Sequence, residues 1–262
     1  MGIAINILDV NGKSKATKKG EHMAVLAYKA PYEDGNIIVI EVEQPGHLYE
    51  VHLDEAMRPA VLLLTETKAQ FAIPFGDKRG TISPKAFSGG KHIITIRKLP
   101  DKEINLRRNL ALNPYDGFFG QGVYPRASAN VETRNEASFA ARNAIDGIFA
   151  NDDHGRFPYG SWGIGGREDA AWSLDFGRHV IIDELRLTLR ADFPHDNYWE
   201  QATVEFSDGG NLKLNLVKTD QPQCFSIKPK TITGLTLKEL IKSDDPSPFP
   251  ALTQFEAWGC EL

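Results

Sequence analysis

The feature that most constrains this chain is a two-residue hydrophobic period that recurs in short runs along most of its length. In the run His47–Leu53 (HLYEVHL), Tyr49, Val51 and Leu53 alternate with their neighbours. Because successive side chains of a strand point to opposite faces, this pattern predicts a strand with Tyr49, Val51 and Leu53 in the core. Short runs of this kind, separated by turn-forming residues, are typical of an all-β sandwich or jelly roll.

The same texture appears in both halves of the chain. The predicted strands of the first half are Asn36–Val42, His47–Leu53, Ala60–Glu66, Ala69–Phe75 and Lys91–Leu99. Those of the second half include Asp183–Ala191, with Leu185, Leu187 and Leu189 inward, as well as Ala202–Gly210 and Asn211–Thr219. One short helix is predicted in Ala137–Gly147, ending before the glycine.

The texture changes around residues 100–125, where a charged stretch (PDKEINLRRN) precedes a stretch rich in turn formers (NPYDGFFGQGVYP). A chain of 262 residues is long enough for two domains of ordinary size. We therefore predict an all-β chain of two β-sandwich domains, residues 1–105 of unknown role and residues 106–262.

Charge and composition exclude several classes of protein. A net charge of −5 argues against a nucleic-acid partner bound through phosphates. The basic run Lys13–Lys19 is expected to be a solvated loop. No stretch approaches the 18 or so apolar residues of a membrane span, and we expect none. The chain begins without a signal-peptide pattern, so the expected location is cytoplasmic, or secreted if a leader precedes this segment. Cys224 and Cys260 are expected to be free thiols if the protein is cytoplasmic, although both fall in late strands and pairing stays open.

A set of motifs in a fixed order resembles one known family. The motifs are Ala144–Gly147 (AIDG), Trp162, Leu174–Gly177 (LDFG), Phe206–Gly209 (FSDG) and Phe255–Gly259 (FEAWG). Over about residues 109–262 this succession resembles the discoidin-like, coagulation factor 5/8 type C domain, whose bacterial members include galactose-binding modules of sugar-active enzymes. The resemblance implies an eight-stranded antiparallel jelly roll and a carbohydrate partner.

The resemblance also implies a structural calcium ion beside the AIDG turn. Calcium is bound by six to eight oxygen atoms of carboxylates, amides and backbone carbonyls. The loop offers Asp146, Asn151, Asp152 and Asp153. The expected ligands are Asp146 and Asn151 of this loop, together with Gln254 and the carbonyls of Asn143 and Ile148. The family pattern has Thr where Asn151 stands and Glu where Gln254 stands, and a glutamine adds an oxygen but no charge. The alternative, an acidic solvated loop, stays open.

Ligands of the resembled family bind on loops at one end of the sandwich. A sugar needs an aromatic face to pack on and planar polar groups for its hydroxyls. Two loops, residues 151–163 and 190–199, are rich in both. The candidate ligand-binding residues are His154, Arg156, Tyr159, Arg190, His195, Asn197, Tyr198 and Trp199. Trp162 and Trp172 are expected in the core, and Trp199 is open between core and site.

These observations favour a non-catalytic carbohydrate-binding protein. The sequence has no nucleophile elbow, phosphate loop or zinc-ligand spacing. Two alternatives stay open. One is a glycan-acting hydrolase that uses the C-terminal domain as its substrate anchor. The other is a protein-interaction module, with a protein partner bound through the N-terminal domain.

Overall fold

The structure is a computed structural model that describes residues 2–190 and 197–262. Its strands are, in chain order, β1 (Ile3–Leu8), β2 (Ser14–Gly20), β3 (Met23–Tyr28), β4 (Ile37–Val42), β5 (His47–His52), β6 (Ala60–Leu64), β7 (Lys68–Ala72), β8 (His92–Lys98), β9 (Arg108–Asn109), β10 (Val123–Tyr124), β11 (Arg126–Ala129), β12 (Trp162–Gly163), β13 (Trp172–Leu189), β14 (Trp199–Phe206), β15 (Asn211–Asn215), β16 (Gln223–Lys242) and β17 (Ala251–Glu261). The described helical segments are one α-helical turn at Asp101–Ile104 and 3₁₀ turns at Gly76–Thr81, Thr133–Asn135, Ala137–Phe139 and Ala141–Ile145. The predicted all-β class is confirmed.

The chain divides into two compact units, each of which is formed by two separate segments of the chain. The first unit is Met1–Ile104 with Asn113–Tyr124, and the second is Asn105–Leu112 with Pro125–Leu262. The prediction of one boundary after residue 105 differs from this division in the stretch 113–124. That stretch returns to the first unit because β10 pairs with β6 and because Tyr115 is fully buried in the first core.

The first unit is a sandwich of two antiparallel sheets. One has the strand order β2-β1-β4-β7 and the other β10-β6-β5-β8-β3. Ile5 and Ile40 of the first sheet and Val51 and Ile94 of the second are fully buried in one core. The basic run forms the edge strand β2, not the solvated loop that we expected. Lysines on an edge strand oppose edge-to-edge association of sheets, which explains their concentration there.

The second unit contains eight antiparallel strands that enclose one core. Six follow the order β12-β17-β13-β16-β14-β15, while β11 pairs with β13 and β9 pairs with β17. The register of β13 against β16 shifts between Asp175 and Val180 and again between Ile182 and Glu184. Irregularities of this kind bend long strands, which lets β13 and β16 run through the curved wall of a jelly roll. Trp162 and Trp172 are fully buried in this core, as predicted.

The predicted helix in Ala137–Gly147 is wrong in kind. Two 3₁₀ turns replace it, and Ala140 between them is extended, with φ −72° and ψ 150°. The amide of Ala141 donates to the Glu132 carboxylate at 2.8 Å. This side-chain acceptor replaces a helical backbone acceptor, so the first turn ends there.

Both cysteines are free thiols. Cys224 lies opposite Arg186 of β13, and Cys260 lies opposite Ile181. Positions five residues apart along a strand are separated by about 16 Å. A disulfide requires Cα atoms within about 7 Å, so the fold keeps these thiols from pairing within one chain.

Candidate functional site

The second unit contains a pocket of about 140 Å³ where several strands end. Leu189, the last residue of β13, pairs with Leu252 near the start of β17. Because the two strands are antiparallel, Arg190 after β13 and Phe249 before β17 emerge at the same end of the sheet. The described lining is Thr133, Arg134, Phe139, His154, Gly163, Ile164, Arg190, Phe249, Pro250 and Ala251.

Arg190 forms the polar floor of this pocket. Its side chain is 5% exposed, and its guanidinium donates to the carbonyl oxygen of Phe249 at 2.8 Å. Its backbone amide donates to the carbonyl of Ala251 at 3.0 Å. These bonds fix the arginine between the end of β13 and the segment that enters β17. Arg190 is one of the predicted ligand-binding residues. It does line the pocket, but it is buried.

His154 and Arg134 form the exposed rim. The imidazole ring of His154 lies 6.5 Å from the ring of Phe139, centroid to centroid. The guanidinium of Arg134 lies over the Phe139 ring, 5.6 Å from its centroid. The same guanidinium pairs with the Glu136 carboxylate at 2.6 Å. Planar nitrogen-bearing groups therefore surround an aromatic ring, which is a suitable arrangement for binding a ring that carries hydroxyl groups.

Phe249 supplies the exposed apolar surface of the pocket. Its side chain is 44% exposed, whereas Phe139 is 6% exposed and Ile164 is 7% exposed. An aromatic ring that stays largely exposed beside buried hydrogen-bond donors can pack on the C–H face of a sugar. The pocket thus combines the two kinds of contact that sugar binding requires.

Two of the eight predicted ligand-binding residues, His154 and Arg190, line this pocket. Arg156 and Tyr159 lie in the same loop as His154 but are not among the described lining residues. The Tyr159 amide donates to the Arg156 carbonyl at 3.0 Å, which closes a local turn. His195 lies outside the described residues.

Asn197 was predicted to contact ligand, and the structure does not place it among the described lining residues of the pocket. It is fully buried. Its side-chain oxygen accepts from the Tyr198 amide and the Ser243 hydroxyl, each at 2.7 Å. Its side-chain nitrogen donates to the carbonyls of Asp245 and Ser247. Asn197 therefore holds the segment that leads to Phe249 and positions the pocket without lining it.

Trp199 was left open between core and site, and Tyr198 was predicted to contact ligand. Trp199 is fully buried in the core, and its ring packs 6.1 Å from that of Trp162. The question left open by the sequence is therefore answered in favour of the core. Tyr198 is half-buried and packs against the same core. Neither is among the described lining residues of the pocket.

Sequence reasoning missed the aromatic half of the site. Phe249 lies in a proline-rich stretch, Asp244–Pro250 (DDPSPFP), and an aromatic residue between prolines in a loop was a usable signal. Phe139 was included in the predicted helix and gave no such signal. Phe139 precedes the first of the two loops by 12 residues, and Phe249 follows the second by 50 residues. Only the fold brings these two rings together with His154 and Arg190.

The predicted calcium ligands come together only in part. The Gln254 amide nitrogen donates to the Asn143 carbonyl and to the Asp146 carboxylate, each at 2.7 Å. The Asn151 amide nitrogen donates to the carbonyls of Leu189 and Asp220, at 2.7 and 2.9 Å. In the part of the chain that the structure describes, no group of three or more His, Cys, Asp or Glu side chains is arranged to hold a metal ion.

The first unit contains a larger cleft, of about 550 Å³. Its charged or imidazole-bearing lining residues include Lys19, Glu21, His22, Glu43 and Lys98. The ring of Tyr49 at this cleft is 1% exposed, and its hydroxyl donates to the Gln44 carbonyl at 2.8 Å. This cleft offers charges of both signs but no exposed phenyl, phenol or indole ring among its described lining residues, so the pocket of the second unit is the stronger candidate for a sugar site.

No protein-family model matches this chain, and no curated protein matches it. Solved structures do match. Chitosan-binding module 1 of a chitosanase/glucanase from Paenibacillus sp. IK-5 is 17% identical, with 58% of this chain and 99% of that chain covered and a TM-score of 0.39. The family 32 carbohydrate-binding module of NanJ from C. perfringens, in complex with galactose, is 14% identical, with 51% and 93% covered and a TM-score of 0.39.

The lectin domain of lectinolysin, complexed with Lewis B antigen, is 17% identical, with 57% of this chain and 95% of that chain covered and a TM-score of 0.43. These modules are of the class that the motif order in residues 109–262 resembles. No helix in the described residues is long and apolar enough to cross a bilayer.

Proposed function

We propose that this protein binds carbohydrate in the pocket of its second unit. The observation that carries the proposal is the convergence of His154, Arg190 and the exposed ring of Phe249 on one small cavity. The three residues come from separate segments of the chain, and the end of the jelly roll is what brings them together.

The chemistry of the lining suits a sugar ring. The C–H face of the ring packs on Phe249, and the Arg190 guanidinium and the His154 imidazole lie where hydroxyl groups would point. Arg190 needs little rearrangement because its hydrogen bonds to the Phe249 and Ala251 backbone already fix it. A polar group that is held in place before binding loses less conformational entropy when the ligand arrives.

The size of the pocket favours a terminal sugar residue. Its volume of about 140 Å³ is below the roughly 300–1,000 Å³ of sites that hold drug-sized ligands. One ring fits such a space, and the rest of a glycan would extend into solvent. We therefore propose recognition of the end of a glycan chain and not of its interior.

Binding without hydrolysis is the better proposal for this pocket. A glycosidase typically uses two carboxyl groups a few ångströms apart, one on each side of the scissile bond. The described lining residues include no Asp or Glu. The alternative of a hydrolase therefore has no acid–base pair to rest on among the described residues of this pocket.

The glycans to test first are those that the similar modules bind. Those modules are described as binding chitosan, galactose and Lewis B antigen, and these are properties of those proteins. For this chain they define three classes of glycan for an array: chitosan oligosaccharides, galactose-terminated chains and fucosylated chains.

The test is a glycan array with wild type, Phe249→Ala and Phe149→Ala. Phe149 is the matched control because it is an exposed phenylalanine of the same unit, 37% exposed, and is not among the described lining residues. We expect wild type and Phe149→Ala to bind the same glycan and Phe249→Ala to lose at least about tenfold in affinity, the loss expected for one aromatic contact. Equal binding by all three proteins would place the site elsewhere.

A further inference from the structure

The side-chain amide of Gln254 lies against the AIDG turn, beside which the family resemblance implies a calcium ion. Gln254 lies on β17 and is 2% exposed. Its nitrogen lies 2.7 Å from each of three oxygen atoms, which belong to the Asn143 carbonyl, the Asp146 carboxylate and the Thr253 carbonyl. We propose that this amide, and not a calcium ion, joins the AIDG turn to β17.

The orientation of the amide follows from its neighbours. The backbone amide of Gly147 donates to the Gln254 side-chain oxygen at 2.9 Å. The two N–H bonds of the side-chain nitrogen are shared among the three acceptors on the other side. If the amide were turned over, its oxygen would face three acceptors and its nitrogen would face the Gly147 donor. The hydrogen-bond network therefore selects one orientation, with N–H groups pointing into the turn.

The donor set present does not fit a calcium ion. A glutamate at this position could accept from Gly147 with one oxygen and bind a cation with the other. Gln254 has one side-chain oxygen, which faces the Gly147 amide, while its N–H groups face the Asn143 and Asp146 oxygens that a cation would need. Asp146 is also the single carboxylate among the five predicted ligands. Calcium sites with so little negative charge bind weakly.

Asn151 shows the same replacement of a metal ligand by an amide donor. Its side-chain nitrogen donates to the carbonyl of Leu189, the last residue of β13, and to the carbonyl of Asp220. Asn151 is 7% exposed, so these bonds lie largely out of water. Hydrogen bonds in such surroundings are strong when complete and costly when broken. Two buried amides thus hold the segment that continues to His154.

The test compares unfolding in calcium with unfolding in a chelator, for wild type, Gln254→Glu and Gln201→Glu. All four tryptophans lie in the second unit, so tryptophan fluorescence reports the unfolding of that unit alone. Gln201 is a partly exposed residue of β14 in the same unit and controls for the added negative charge. This test measures stability and not glycan binding. The inference about Gln254 can therefore fail while the proposed glycan binding holds, and glycan binding can fail while the inference about Gln254 holds.

We expect wild type to unfold at the same temperature with calcium and with chelator. Gln254→Glu places a second carboxylate against Asp146 and the Asn143 carbonyl, so we expect its midpoint in chelator to fall by about 5–10 °C and to recover in calcium. Gln201→Glu should behave as wild type does. A wild-type midpoint that rises with calcium would overturn the inference, and so would a Gln254→Glu variant that matches wild type in chelator.

Discussion

Replacing Asn197 with alanine tests whether this residue builds the pocket or touches the ligand. The side chain is fully buried and makes four hydrogen bonds. Two of them reach the carbonyls of Asp245 and Ser247, in the segment that leads to Phe249. The alanine variant would leave these carbonyls, the Ser243 hydroxyl and the Tyr198 amide without their partner.

The expected loss of stability follows from those four bonds. Each is worth about 0.5–1.5 kcal/mol net, and a buried group left unpaired adds to the cost. The bond to Asp245 is long, at 3.3 Å, and the segment can relax towards water, so the lower half of the summed range applies. We expect a loss of about 3 kcal/mol, which for a unit of this size corresponds to a fall of about 6–12 °C in the unfolding midpoint.

The assay is thermal unfolding followed by tryptophan fluorescence, together with glycan binding at a temperature where the variant is folded. Asn197→Ala should lose both stability and affinity, because the segment that carries Phe249 is no longer held. Phe249→Ala should lose affinity alone, since its ring is 44% exposed. An Asn197→Ala variant with the wild-type midpoint and no glycan binding would refute this reasoning and support direct contact with the ligand.

Three further predictions concern the second unit. Trp199→Ala should lower the free energy of unfolding by about 3–5 kcal/mol, as removal of a buried tryptophan does, which a urea titration will measure. A hydrogen bond from Arg186 holds the pKa of the Glu184 carboxyl below its usual range. The stability that this carboxylate contributes is therefore present above about pH 4.3 and is lost as the pH falls further. The unfolding midpoint of Glu184→Gln should decline less than that of wild type between about pH 5 and pH 3. Cys224 and Cys260 should both react with a thiol reagent in denaturant without prior reduction, and a count below two thiols per chain would contradict the register of β13.

Strands such as β5 and β13 were predictable because burial on one face imposes a two-residue period, whereas β1, β3 and β16 were not predicted. Leu185, Leu187 and Leu189 are all buried, as their alternation indicates. The period failed where both faces of a strand are covered. Thr188 and Arg190 occupy the face predicted to be polar, yet they are 2% and 5% exposed. A polar residue type does not reveal that a second layer of residues covers that face. The sequence therefore identified Arg190 as a candidate site residue but did not predict that it is buried.

The site was predictable only in its local parts. His154 and Arg190 stood out because polar and aromatic residues are concentrated in their loops. Phe249 lies 59 residues beyond Arg190, and its carbonyl meets the Arg190 guanidinium only in the folded chain. Trp199 and Asn197 looked like ligand contacts because burial cannot be read from a loop-to-strand junction. A hydrogen-bonding side chain at such a junction serves the backbone as readily as a ligand.

The position of the AIDG turn was predictable, but its chemistry was not. The motif order placed Asn143, Asp146 and Gln254 together, and the structure does bring them within hydrogen-bond distance. What the motif could not supply is the direction of the Gln254 amide, which depends on the donor of Gly147 across the turn. A glutamate at position 254 would present only acceptor oxygens to the turn, whereas the Gln254 amide presents N–H donors to it.

The most direct test of the central proposal is calorimetric titration of the glycan that binds best on the array. The proteins are wild type, His154→Ala and His179→Ala. His179 is the matched control because it is an exposed histidine of the same unit and is not among the described lining residues of the pocket. We predict that wild type and His179→Ala bind with the same affinity, while His154→Ala binds at least about tenfold more weakly with an unchanged unfolding midpoint. Wild-type affinity in His154→Ala would contradict the assignment of the sugar site to this pocket.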